Sequence, residues 1–187
     1  MNDIKLHITG RQHEALYHHL FPGDGKEAVA LALCGVGEWS EGAGHCERVV
    51  CIHRIKLVPY GVCSVRTEDR VTWSTDSVMD LIQEAERKHM AILKIHSHPI
   101  GFPRFSAFDD ESDRELFTGI SGWLDTDFPG VSAIMMPDGQ IIARAVDDDG
   151  NFSEVASVSV VGPDVTIWDS TTSAKEDIPQ LFLSSIN

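Results

Sequence analysis

Basic residues are scarce in this chain. Lysine and arginine number 15 against 29 aspartates and glutamates in 187 residues, a formal net charge of −14 with histidine neutral. No basic cluster interrupts that background, and a negative field repels phosphate backbones, so nucleic acid is excluded as an expected partner. Long apolar runs are missing too: none approaches the roughly 20 residues that span a bilayer. Met1 to Thr9 has no basic start followed by an apolar stretch, so no secretory leader is expected. The four cysteines, Cys34, Cys46, Cys51 and Cys63, include no Cys-x-x-Cys pair. Without an export signal they read as reduced thiols of a cytoplasmic protein. No internal repeat appears. The apolar fraction, 42%, and the length suit one domain with a full core.

Hydrophobic spacing orders the elements. Ile4, Leu6 and Ile8 alternate with polar neighbours as a first strand, and Ala15, Leu16 and Leu20 set a helix over Arg11–Leu20 that Pro22-Gly23-Asp24-Gly25 ends. Ala28 to Cys34 is an unbroken apolar run, expected of a strand covered on both faces. Its small residues Ala28, Ala30 and Ala32 share one face, where another segment can approach closely. Gly35–Gly44 reads as a turn into a long strand, Glu47–Val58, with a bulge. Tyr60–Trp73 is less regular. Ser74-Thr75-Asp76 offers N-caps for a helix to Lys88 that buries Val78, Leu81, Ile82 and Ala85. A helix over Ala107–Phe117, a loop over Gly119–Gly130, and strands over Val131–Met136, Gln140–Val146, Val155–Val161 and Val165–Trp168 complete the pattern.

One stretch holds most of the chemistry: His96-Ser97-His98-Pro99, then Ile100 to Phe105, then Ser106-Ala107-Phe108-Asp109. Strand side chains two apart share a face, so with Ala91–His98 extended both imidazoles can reach one ion at about 2.0–2.1 Å. Gly101 and Pro103 let the chain fold back so that Asp109 adds a third ligand. Two neutral imidazoles and one carboxylate leave a zinc ion net positive, with a fourth position for water, as in a hydrolytic site. Ser106-x-x-Asp109 also reads as a helix capping box. The two readings are compatible, since a cap holds the hydroxyl in place. His45, Cys46, Cys51 and His53 suggest a second cluster, but alternation puts Cys46 on the opposite face, and an ordinary strand is the expectation.

His-x-His, seven residues, Ser, two residues, Asp resembles the JAMM motif of JAB/MPN metalloenzymes. That family also carries a glutamate on a buried strand several residues before a glycine. Glu27-Ala28-Val29-Ala30-Leu31-Ala32-Leu33-Cys34-Gly35 is similar in register, with Ala30 and Cys34 where glycines are common. The resemblance covers most of residues 1–168. It implies an α/β, cytidine-deaminase-like sandwich with a mixed, mostly antiparallel sheet flanked by helices, in agreement with the element order. It also implies a metalloprotease domain over 1–168; beyond it, the polar composition itself reads as a tail over 169–187, with Pro179–Ile186 as a short docking segment.

The same resemblance implies one Zn2+ per chain on His96, His98 and Asp109. Glu27 becomes the general base and Ser106 the hydrogen-bond donor to the developing oxyanion. Asp110 and Asp113 are expected to orient the ligands. JAB/MPN enzymes cut peptide or isopeptide bonds after the C-terminus of ubiquitin or ubiquitin-like proteins. Compact bacterial members accompany activating and conjugating enzymes, several of them in antiphage systems. The expected partner is therefore a ubiquitin-like protein or its conjugates. A sulfur-carrier-processing peptidase and a non-catalytic MPN scaffold stay open as alternatives. Tyr60–Trp73 and Phe117–Gly130 fall where relatives contact substrate, and Phe102, Phe105 and Trp123 are expected to wall the channel.

Overall fold

A computed structural model of the chain describes residues 2–41, 45–124, 128–170 and 176–177. The long apolar run becomes the middle of the molecule. Strand β2 (Val29–Glu41) lies between β3 (His45–Leu57) and β6 (Ala91–Ser97), antiparallel to both. β1 (Asn2–Thr9) runs parallel to β3 on one side and to β10 (Ser157–Val161) on the other. β11 (Val165–Asp169) and β12 (Glu176–Asp177) extend that edge antiparallel. On the far side, β7 (Gly130–Met135) is parallel to β6, and β8 (Ile141–Val146) and β9 (Phe152–Glu154) follow antiparallel. The result is a mixed ten-stranded sheet in the order β12-β11-β10-β1-β3-β2-β6-β7-β8-β9. A separate hairpin joins β4 (Cys63–Arg66) to β5 (Val71–Trp73).

Strand parity separates two apolar layers. Ala28, Ala30 and Ala32 face α1 (Gly10–Leu20), whose Leu16 and Leu20 pack there with Ile4, Leu6 and Ile8 of β1. The small alanines give the helix its close approach. Val29, Leu31 and Leu33 face the other way, under α2 (Met79–Lys88) and α3 (Ala107–Ser121), where Leu81, Ile82, Leu116, Phe117 and Ile120 meet them. Thr9 and Gln12 close a capping box at α1, and Ser74 caps the short turn leading into α2. His89, left-handed at φ 51°, ends α2.

Three expectations are corrected. The glycines at 35 and 37 do not turn the chain: β2 runs on to Glu41 because β3 pairs with it throughout, Gly35 with Cys51 and Gly37 with Val49. α3 continues to Ser121 rather than stopping at Phe117, since Phe117 and Ile120 go on burying a face. Tyr60–Trp73 is a short 3-10 turn followed by the β4–β5 hairpin. The expected bulge lies in β3, where the register against Leu33 and Cys34 jumps from Arg54 to Ile52 and leaves His53 extra. All four cysteines are free thiols. Of the tail, Asp169 closes β11 and Glu176–Asp177 pairs with it, while the docking segment expected at Pro179–Ile186 lies outside the described residues. Among the described residues, no helix is long and apolar enough to cross a membrane.

Candidate metal centre

Register brings the site together. β2 opposes β6 with Val29 at His96, and the ladder goes one residue further, Ser97 N donating to Ala28 O at 3.0 Å. Ser97 Oγ also accepts from Ala28 N at 2.9 Å. The next pair outward is Glu27 and His98, on the same face as His96. Their Oε1 and Nε2 atoms are 3.9 Å apart. His98 N donates to Met135 O of β7, and Gly101, at φ 78°, turns the chain back with its N–H on His98 O. A side chain is strained at that φ, so glycine is required there.

The return brings in the start of α3. Ser106 and Asp109 form a reciprocal capping box: Asp109 N donates to Ser106 Oγ at 3.1 Å, and Ser106 N and Oγ each donate to Asp109 Oδ2 at 2.7 Å. The cap fixes the Asp109 carboxylate against both imidazoles, with Oδ1 3.0 Å from His96 Nε2 and Oδ2 3.6 Å from His98 Nε2. The two Nε2 atoms are themselves 3.1 Å apart. Two ligands at tetrahedral positions, each about 2.0–2.1 Å from one ion, are separated by about 3.3 Å. The donors therefore fit a zinc-sized ion. His98 Nδ1 sits 2.7 Å from Phe102 O, which can only accept, so the Nδ1 proton stays there and Nε2 is the atom turned to the centre. His96 Nδ1 is buried with no hydrogen-bond partner among the described residues, so packing and Nε2 hold that ring. Glu27, His96 and His98 form a group able to share one ion. Of the second cluster around His53, the His45 side chain lies outside the described residues, and among those described Cys46, Cys51 and His53 form no metal-sized group.

Charge follows the same geometry. Burial pushes the Glu27 carboxyl up to about 8, with Asp109 and Asp69 adding to the rise and His98 opposing it. A carboxyl near neutrality suits proton exchange. Burial acts to raise Asp109 as well, yet the hydrogen bonds with His96 and His98 outweigh it and hold it far below the carboxylate range. Burial lowers His96. At His98 burial is overcome by Asp109 and the Phe102 carbonyl, and the imidazole is raised. A positive charge at the centre is what this donor set accommodates.

Asp110 and Asp113 meet cations rather than imidazoles. Asp113, wholly buried, accepts from Lys94 at 2.6 Å and from Arg144 Nη2 at 2.6 Å, and Asp110 pairs with Arg144 Nη1. The Arg144 guanidinium lies between two rings, 3.8 Å from the Phe105 centroid and 3.7 Å from that of Phe152. It thus anchors the loop between His98 and Ser106. Phe102 is exposed and lends its carbonyl to His98. Trp123 is exposed beside Met79, Ile82 and Ile120, in a groove between α2 and α3. A larger groove of about 560 Å3 runs between β5 and the start of α3, lined by Val71, Trp73, Phe108, Glu111, Ser112 and Leu116. Arg66 and Arg144 went unmarked in the sequence, since their hydrogen-bond partners are 31 to 42 residues away. Lys94 did carry a signal: a lysine inside a wholly buried strand needs a counter-charge.

Fold and site define an α/β domain in which two imidazoles and two carboxylates meet at the mouth of a mixed sheet. The family model described as prokaryotic homologs of the JAB domain matches residues 11–145, a span that contains Glu27, His96, His98, Ser106 and Asp109. The chain belongs to that family. The solution structure of protein DSY2949 from Desulfitobacterium hafniense is similar in fold, with TM-score 0.50 at 15% identity over 83% of this chain and 92% of that one. No curated protein matches. The JAB family includes peptidases, and its domains often bind zinc.

Proposed function

We propose that the protein hydrolyses an amide bond at one zinc ion held by His96, His98 and Asp109. The observation that carries this is the convergence of the two Nε2 atoms on Asp109, 3.1 Å from each other, with Glu27 beside them. Zinc, when bound, would supply a Lewis acid and an acidified water. Glu27 Oε1 takes a proton from the attacking water and later returns it to the leaving amine. The Ser106 hydroxyl, which donates to Asp109 in the cap, turns its hydrogen to the substrate oxygen as negative charge develops. Ser97, Gly101 and the capping box hold these groups in place.

The amide we assign is the one that follows the C-terminus of a ubiquitin-like protein, as peptide or isopeptide, in a bacterial ubiquitin-like pathway of antiphage type. The groove beside β5 supports this reading. It reaches Ser112 and Phe108 at the start of α3, and β5 pairs with β4 alone among the described residues. An extended tail could add to that edge and leave its last carbonyl near Ser106. The experiment is incubation with a ubiquitin-like protein fused through its C-terminus to a reporter. Mass spectrometry should find a cut directly after that terminus, lost on chelation. Cleavage that ignores the folded ubiquitin-like domain would point to a general peptidase, and no cleavage with zinc bound would refute the hydrolase reading.

A further inference from the structure

Glu27 precedes β2, and its backbone is held from one place. Its N–H donates to Thr67 O at 2.7 Å, and its carbonyl accepts from Arg66 Nε at 2.8 Å. Arg66 grips the rest of the approach to β2 as well. Nη1 and Nη2 bind the Asp24 carboxylate at 3.0 and 3.4 Å, and Nη2 lies 3.5 Å from Lys26 O. The guanidinium sits 4.2 Å from the Tyr60 ring centroid, Tyr60 donates to His19 O, and the His19 ring stacks on Tyr60 at 5.0 Å. A planar fork with five donors can serve oxygens of residues 24, 26 and 27 at once, whereas an ammonium cannot match that geometry. On its other side Arg66 pairs with Val71 of β5, which lines the groove.

We propose that Arg66 is a positioning residue: it ties the place of the Glu27 carboxylate to the β4–β5 hairpin, so that the wall of the groove sets the base. The inference rests on the proposed hydrolysis for its kinetic arm only. A shift of about 1 Å in a reacting group can cost on the order of a hundredfold in rate, and loss of the Arg66 side chain removes one of the two hydrogen bonds on the Glu27 backbone.

The test compares the purified zinc-loaded protein with Arg66→Ala and Arg66→Lys. Hydrogen exchange at the Glu27 amide should accelerate about tenfold or more in Arg66→Ala, while amides of β6 keep their protection, because loss of the clamp is a local opening. Zinc content should stay at the wild-type level. With the ubiquitin-like fusion, kcat should fall about tenfold to a hundredfold with little change in KM, and Arg66→Lys should recover part of the loss. Unchanged Glu27 exchange in Arg66→Ala would overturn the proposal. So would loss of protection across the whole sheet, which means general destabilisation, or a rise in KM alone, which means substrate contact. If the wild type holds zinc yet cleaves nothing, the hydrolase reading falls, and the exchange data still decide the role of Arg66.

Discussion

Glu27 and His98 face each other two residues beyond Val29–His96, the last ladder pair of β2 and β6, with Oε1 3.9 Å from Nε2. A carboxyl and an imidazole 71 positions apart thus meet because Val29 is in register with His96. Asp109 Oδ2 lies 3.6 Å from the same Nε2, so both carboxylates approach His98 at similar distances.

The proposed hydrolysis makes Asp109 a ligand and Glu27 the base, and their variants tell the two roles apart. Glu27→Gln should retain one zinc per chain and the fold, and lose hydrolysis by at least about a hundredfold, the range of general-base contributions. Metal analysis beside single-turnover assays checks this. Loss of zinc in the variant would make Glu27 a ligand.

His98→Ala and Asp109→Ala should each lower zinc content. Asp109→Ala should also loosen the start of α3, because Ser106 N loses its acceptor there, a hydrogen bond worth about 0.5–1.5 kcal/mol net. Equal zinc in wild type and both variants would refute the ligand assignment.

Ser97 closes the ladder just inside the site, accepting from Ala28 N. Ser97→Ala leaves that buried N–H without its side-chain partner and should cost about 1–3 kcal/mol. Denaturant melts read the loss. Activity should drop with it, because the Glu27–His98 step rests on this pair.

Asp113 gives a pH signature. Burial alone would raise its carboxyl, but Lys94 and then Arg144 outweigh burial and hold it below the ordinary value. A lowered folded value stabilises the fold above the unfolded value, about 3.9, and that contribution is lost as pH falls through the folded one. Asp113→Asn should therefore be less stable than wild type by about 3–5 kcal/mol at pH 7, since it leaves buried Lys94 without its carboxylate and Arg144 with Asp110 alone. The gap should narrow steadily below about pH 4. Urea unfolding from pH 7 to pH 3 measures it, and a gap that stays constant would show that Asp113 does not titrate in this way.

Local spacing by itself determined a good deal. Alternation in Ala28–Cys34 placed alanines under one helix and larger residues under two others, since a strand's period of two leaves no freedom once both faces are covered. The His-x-His step and the Ser106-x-x-Asp109 cap were legible for the same reason: each is fixed by the geometry of a single strand or a single helical turn. Tertiary structure decided the rest. Gly35 and Gly37 stay extended only because β3 runs alongside them, and the helix of Phe117 persists only because the sheet offers it a surface. The ring of Phe105 found Arg144, and the backbone of Glu27 found Arg66. An arginine's reach is long and its partners are set by which strands pair in which register, so nothing in its own neighbourhood of the sequence foretells them.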